Sequence, residues 1–291
     1  MICNLCPRKC NAVRTDFENQ NGFCKAPLLP RIARAGLHFW EEPCISGEKG
    51  SGTIFFSGCS LNCIYCQNYD VSHKSFGKIV SYGRLAEIFR ELEGLGAHNI
   101  NLVTPTHYIH AIKKALDIYK PSIPIVYNSG GYDSVAALKS LEGYVDIFLM
   151  DLKYLSNERA LKYSSVKDYP QVAVNAILEA YRQAEDCEFK DGIMQKGLII
   201  RHLLMPQGTN QAIEVFNWVR ENTPKAYFSM MSQYTPLANL SEFPEINRKV
   251  TKREYEKVLS AICESNFKNC YFQEMSSSSE KYIPNFNLEG V

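Results

Sequence analysis

The chain has 291 residues, 45% of them hydrophobic and 22% charged, with a net charge of +1. That is length enough to bury one substantial core, and the near-neutral balance offers no basic footprint for nucleic acid or an anionic membrane. No stretch has the apolar length of a bilayer span, and Met1-Ile2-Cys3-Asn4 lacks a signal-peptide start. A cytoplasmic setting is therefore expected, with the eleven cysteines as metal ligands or reduced thiols.

The first segment, residues 1–50, reads as a cysteine-rich metal-binding extension. Cys3-x2-Cys6-Pro7-x2-Cys10, followed by Cys24, supplies four thiolates, the number a closed tetrahedral zinc site uses. Four thiolates also suit an iron–sulfur cluster, and spacing alone does not separate the two. Arg8, Lys9, Arg14 and Lys25 offset the negative charge of either. Without a metal the segment has few apolar residues to order it. Further on, Pro43 and Gly47 mark a turn, so Glu41, Glu42 and Cys44 read as surface positions rather than as the rim of a site. His38 reads as a packed or capping histidine.

Thr53–Phe56 is an apolar strand, and directly after it come Cys59-x3-Cys63-x2-Cys66. Three thiolates hold three corners of a cubic four-iron cluster and leave the fourth iron open to a ligand. The zinc alternative needs a fourth ligand, and nothing nearby completes one.

From here strand-like and helix-like segments alternate, the pattern of a parallel sheet with helical crossovers. Leu85, Ile88, Phe89 and Leu92 predict a helix over 81–94 with Ser81 as cap. Ile100–Val103, the later part of Ile123–Tyr127, Val145–Leu152, Leu198–Leu204 and Tyr227–Met231 predict strands. Helices are expected over 107–119 and 134–141, in the stretch up to about Glu188, after a cap at Thr209, and after the capping box Thr251-Lys252-Arg253-Glu254. Cys270-Tyr271-Phe272 is a doubtful last strand. Leaving it out, six strands alternate with helices over 51–275, too few for the complete eight-stranded barrel. Residues 276–291, opening with Ser276–Ser279, form a polar tail.

Ligands of parallel sheets bind beyond the carboxyl ends of the strands. There, Asp151 and Lys153 share the inward face of their strand with Val145, Ile147 and Leu149, either as a plain ion pair or as a ligand clamp. Asn128 and Ser129 precede Gly130-Gly131, which permits close backbone approach to a ligand or simply makes a tight turn. Thr104 and Thr106 offer hydroxyls, and His107 either caps the next helix or faces the substrate. Arg201 and His202 point to opposite faces. We expect Arg201 inside, as a fixed cation suited to a carboxylate, and His202 in a structural place. Gln233 and Tyr234 contact the substrate or cap the barrel, whereas Cys187, Cys263 and Cys270 read as ordinary thiols.

The phrase Gly58-Cys59-Ser60-Leu61-Asn62-Cys63-Ile64-Tyr65-Cys66-Gln67-Asn68 resembles the cluster motif of the radical S-adenosylmethionine (SAM) superfamily. Within it, the phrase is similar to relatives of pyruvate formate-lyase activating enzyme. The resemblance implies an α/β fold, the partial (β/α)6 TIM-type barrel. It also implies a 4Fe–4S cluster whose open iron binds the amino and carboxylate groups of SAM, and reductive cleavage of SAM to a 5′-deoxyadenosyl radical that abstracts hydrogen. It places Tyr65 near the adenine, makes Asp151-Leu152-Lys153 an Asp-x-Lys motif for SAM, and sets Asn128-Ser129-Gly130 at the Thr-Asn-Gly position of relatives; Thr104 and Arg201 are expected as further SAM contacts from their own chemistry and place on the strands. The implied partners are a glycyl radical enzyme or another protein or peptide as substrate, and an electron donor such as flavodoxin or ferredoxin. The leader, continuing through Ala33–Gly47, resembles a subgroup of activating-enzyme relatives. The chain departs from pyruvate formate-lyase activating enzyme in carrying that leader, and has no second cysteine group after Cys66. Thr104-Pro105-Thr106 stands where relatives carry Gly-Gly-Glu. The rival expectation is a non-catalytic iron–sulfur or zinc protein, acting as an electron carrier or a protein-binding module.

Overall fold

The computed structural model describes residues 1–237, 240–275 and 284–291. In the leader, β1 (Ile2–Cys3), β2 (Ala12–Arg14) and β3 (Asn19–Gln20) pair antiparallel in that order. Strands this short do not hold themselves together. Arg14 pins them: its side chain is buried and reaches Cys3 Sγ at 3.6 Å, the His107 carbonyl at 2.8 Å and the Pro27 carbonyl.

β4 (Arg31–His38) runs antiparallel to β5 (Ser51–Phe56), with the short α1 (Pro43–Ser46) between them. No strand is expected at β4 from the sequence, because Ala33-Arg34-Ala35-Gly36 lacks branched and aromatic residues; the pairing with β5 overrides that local preference. The main sheet thus begins at Arg31, inside the expected 1–50 extension. After β5 come α2 (Tyr69–Ser72), β6 (Lys78–Ile79), α3 (Tyr82–Gly94), β7 (Ile100–Val103), α4 (Ile109–Ile118), β8 (Ile125–Ser129), α5 (Val135–Lys139) and β9 (Ile147–Asp151). Then follow α6 (Asn157–Ser164), α7 (Tyr169–Gln183), β10 (Glu188–Lys190), β11 (Ile193–Leu203), α8 (Thr209–Asn222), β12 (Tyr227–Met231), α9 (Lys252–Glu264) and β13 (Cys270–Phe272).

β5, β7, β8, β9, β11 and β12 lie side by side in chain order, all parallel. This is the six-stranded partial barrel expected from the sequence. Every residue of β5, β8 and β9 is buried, because helices cover one face and side chains fill the other. The helix caps at Ser81 and Ser134 and the capping box at Thr251 are all formed.

Four local expectations change. The doubtful Cys270–Phe272 pairs parallel with β12 as a seventh strand. Thr209 does not cap α8; Gly208 holds the cap position and Thr209 is already helical. A hairpin, β10–β11, was legible in Asp191-Gly192 but not expected: both residues have positive φ, +52° and +77°, as the tight hairpin turn requires. The 107–119 helix begins as a 3-10 turn at Thr106–Tyr108. The expected polar stretch Ser276–Ser279 lies outside the described residues. Residues 288 and 289 bond to the free edge of β4, Glu289 O accepting from Ala35 N at 2.8 Å and Leu288 N donating to Ala33 O at 3.1 Å, while Phe286 packs edge-on against Phe55. Among the described residues β13 and β4 do not pair, so the barrel stays open on that side.

Candidate cofactor site at the mouth of the barrel

The loop after β5 carries the three cysteines. It turns at Gly58, where φ is +87° and an added Cβ would sit 2.4 Å from the Cys24 carbonyl oxygen, so only glycine lets the leader press this close. Arg8 Nε donates to Ser60 O at 2.9 Å, and His107 Nε2 lies 2.9 Å from Ser57 O. His107 is buried in this joint. It neither caps α4 through its side chain nor faces a substrate cavity, contrary to both expectations.

Cys59, Cys63 and Cys66 line one cavity of about 170 Å3. Cys59 Sγ accepts from Leu61 N at 3.4 Å, Cys66 Sγ from Ser72 Oγ at 3.3 Å, and Cys63 Sγ lies 3.0 Å from Ser164 Oγ. From Ser164 a hydrogen-bonded chain continues through Tyr154 Oη to Tyr65 Oη, at 3.0 and 2.6 Å. Burial, then repulsion from Cys63, pushes the Cys59 and Cys66 thiols up, so loading a metal means displacing protons. Among the described residues no group of three or more His, Cys, Asp or Glu side chains stands as a site for a metal ion. The fit to a cluster rests on three thiols around one cavity, each free for its own iron. In the leader, Cys3, Cys6 and Cys24 are buried and Cys10 is exposed. Burial, with a smaller contribution from neighbouring thiols, pushes Cys6 up to about 12 and raises Cys24.

A second cavity, of about 230 Å3, shares Cys63, Cys66, Asn128, Asp151, Lys153 and Arg201 with the first. Alternation along β9 and β11 turns Asp151 and Arg201 inward as expected. Arg201 is fully engaged: Nε to Asp151 at 2.9 Å, Nη1 to Glu41 at 3.1 Å and Nη2 to Asn128 Oδ1 at 2.6 Å. Lys153 Nζ meets the other Asp151 oxygen at 2.5 Å. Burial favours the neutral acid, but Lys153 and Arg201 outweigh it, and Asp151 is held below the usual carboxylate range. Burial would also lower Lys153; Asp151 and Cys63 more than compensate.

Glu41 and Glu42 are not at a surface turn. Glu42 is 6% exposed, and Glu41 reaches Arg201 while accepting from Asn101 and Asn128 at 3.1 and 3.2 Å. Burial raises both carboxyls despite Arg201. Nothing local in the sequence marks Glu41, whose partners lie 60 to 160 residues away. Asp133 was also missed: buried, it accepts from Thr106 Oγ1 and Tyr127 Oη at 2.7 Å each and from Ser129 Oγ, which fixes the wall behind Asn128. Thr104 lines the cysteine cavity at φ +59°, a left-handed backbone in a β-branched residue. His202 is structural as expected, its Nδ1 2.7 Å from Leu152 O, and Tyr234 Oη donates to Ile246 O at 2.7 Å, a packing role. His38 packs edge-on against Phe55.

A radical SAM family model matches residues 53–219, which spans the cysteine loop and five of the six parallel strands. The chain belongs to the radical SAM superfamily. Members of this superfamily are enzymes, and the domain implies a 4Fe–4S cluster and SAM. An uncharacterized protein of Methanocaldococcus jannaschii is 32% identical over 267 residues, 88% of this chain and 73% of its own. Among solved structures, SuiB of Streptococcus suis bound to the precursor peptide SuiA matches with a TM-score of 0.52 at 17% identity, covering 74% of this chain and 46% of SuiB. HydG, a maturase of the [FeFe]-hydrogenase, matches at 0.50 and 14% identity, covering 79% of this chain and 53% of HydG. At such identities these two show a shared fold, and this radical SAM chain spans about half of each. No helix among the described residues is long and apolar enough to cross a membrane.

Proposed function

We propose that this radical SAM chain holds its 4Fe–4S cluster on Cys59, Cys63 and Cys66 and SAM against Asp151, Lys153, Asn128, Ser129, Thr104, Arg201 and Tyr65, to abstract hydrogen from a protein or peptide. The observation that carries this reading is the cavity shared by three free thiols and the Asp151–Lys153–Arg201 cluster. When bound, cluster and SAM supply a 5′-deoxyadenosyl radical. The chain's own residues supply placement. Asp151 is ionised and aimed inward, an acceptor for an ammonium group. Lys153 lies close to Cys63 and Asp151 and balances the thiolate charge. The bonded chain from Cys63 to Tyr65 holds that ring beside the cavity.

A glycine Cα of a glycyl radical enzyme is one hydrogen donor of this class. The leader, pressed onto the cysteine loop at Gly58, suits a second metal, zinc or iron–sulfur, on Cys3, Cys6, Cys10 and Cys24, and a flavodoxin or ferredoxin suits the role of electron donor in the cytoplasm. The test is anaerobic reconstitution with iron and sulfide, reduction with dithionite in the presence of SAM, and chromatography for 5′-deoxyadenosine. Changing Cys59, Cys63 and Cys66 to alanine is expected to remove roughly four irons and all product. A loaded cluster that yields no 5′-deoxyadenosine overturns the proposal.

A further inference from the structure

A third cavity, of about 380 Å3, lies on the open side of the barrel, between the β4–α1 loop and the ends of β12 and β13. Phe39, Trp40 and Tyr271 line it, with Glu42 and Ser229. It shares Trp40, Glu41 and Gln233 with the cavity in front of the cysteines, so a molecule seated here extends toward them.

Glu42 is the unusual member. Its side chain is more than nine-tenths buried, and its Oε2 has no hydrogen-bond partner among the described residues. A buried polar atom in that state is costly unless something outside the chain completes it. Arg201 acts on Glu42 through space, but its hydrogen bonds go elsewhere. All three Arg201 nitrogens are spent on Asp151, Glu41 and Asn128, and Lys153 is spent on Asp151. Three carboxylates, Glu41, Glu42 and Asp151, thus face two cations. Around the unsatisfied oxygen are aromatic rings. Phe39 is about half exposed, an apolar rim beside Trp40 and Tyr271 in the same cavity. A carboxylate set among aromatic faces is the chemistry that receives an organic cation.

We propose that this cavity is a substrate subsite for an alkyl ammonium or guanidinium group, its charge on Glu42 and its stem against Trp40 and Tyr271. The radical reading of the barrel enters only in the direction the ligand points, since the binding itself needs neither cluster nor SAM. A basic side chain within a polypeptide and a free amine share this chemistry.

The experiment is titration calorimetry on the reconstituted protein with N-acetyl-lysine methylamide, its uncharged norleucine counterpart, and butylamine. We expect the lysine compound to bind at least about tenfold more tightly than the norleucine one, a factor that Glu42→Gln removes and Glu42→Asp partly restores. Circular dichroism checks that each variant is folded. If Glu42→Gln does not fold, the comparison of lysine with norleucine on the unaltered protein still decides. Equal affinity for the two, or no heat from either, overturns the subsite. Butylamine binding as well as the lysine compound assigns the site to small amines, and weaker binding assigns it to polypeptide. A chain that forms 5′-deoxyadenosine yet fails this titration has lost the subsite alone. One that binds lysine yet never cleaves SAM has lost the radical reading alone.

Discussion

Thr104 holds a backbone φ of +59°, where a β-branched side chain crowds its own carbonyl at a cost of about 1–2 kcal/mol. The chain keeps a glycine-like turn here without a glycine. Thr104→Gly is expected to relieve the strain against the added unfolded-state entropy, for a net gain of up to about 1 kcal/mol. Urea unfolding measures it, and a loss of stability would show that the threonine hydroxyl matters more than the strain. At Arg201 the expectation runs the other way. It bridges Asp151, Glu41 and Asn128 where water is scarce. Arg201→Met leaves two acids facing each other and is expected to cost about 3–5 kcal/mol. Adding Glu41→Leu should recover part of that, because the surplus charge leaves with it; a double variant no more stable than the single one would refute the account.

At the scale of elements, the leader is a sheet of two- and three-residue strands tied to the rest of the chain by its own Arg14, which reaches the His107 carbonyl, and by its contact at Gly58. Such a sheet lacks a core of its own. Replacing Cys3, Cys6, Cys10 and Cys24 with alanine is expected to open it to proteolysis before Arg31 while the barrel stays protected. Limited digestion read by mass spectrometry checks this, and cleavage spread over the barrel would instead mean that the leader is part of one folding unit. On β4's far edge, Leu288 and Glu289 add backbone bonds and Phe286 packs on Phe55. Phe286→Ala should lower stability by about 1–2 kcal/mol, since the ring is partly buried.

For the whole molecule, buried histidines set an acid limit. Burial lowers His107 to about 3 and His110 and His202 to about 4. The unfolded chain takes up these protons near the ordinary 6.5 while the folded chain does not. Their contribution to stability is therefore complete above 6.5 and drains away as the pH falls toward 3–4. The urea midpoint should drop between pH 7 and pH 5. A midpoint that holds steady over that range would mean the folded chain binds the protons after all.

The sequence by itself determined whatever depends on neighbours along the chain. Cys59, Cys63 and Cys66 are seven residues apart end to end, and their spacing predicts a three-cornered cluster. Period-two alternation aims Asp151 and Arg201 inward, and caps at Ser81 and Thr251 start their helices. Thr209 misled because a capping residue can equally open the first turn. Tertiary structure alone decided the rest. β4 becomes a strand only because β5 offers it partners, and Cys270–Phe272 only because β12 does. Glu41 and Glu42 look like a surface turn until α1 folds in and carries them to Arg201, 160 residues away. A carboxylate's role follows from which charges it meets after the chain closes on itself, and local pattern carries no record of that meeting.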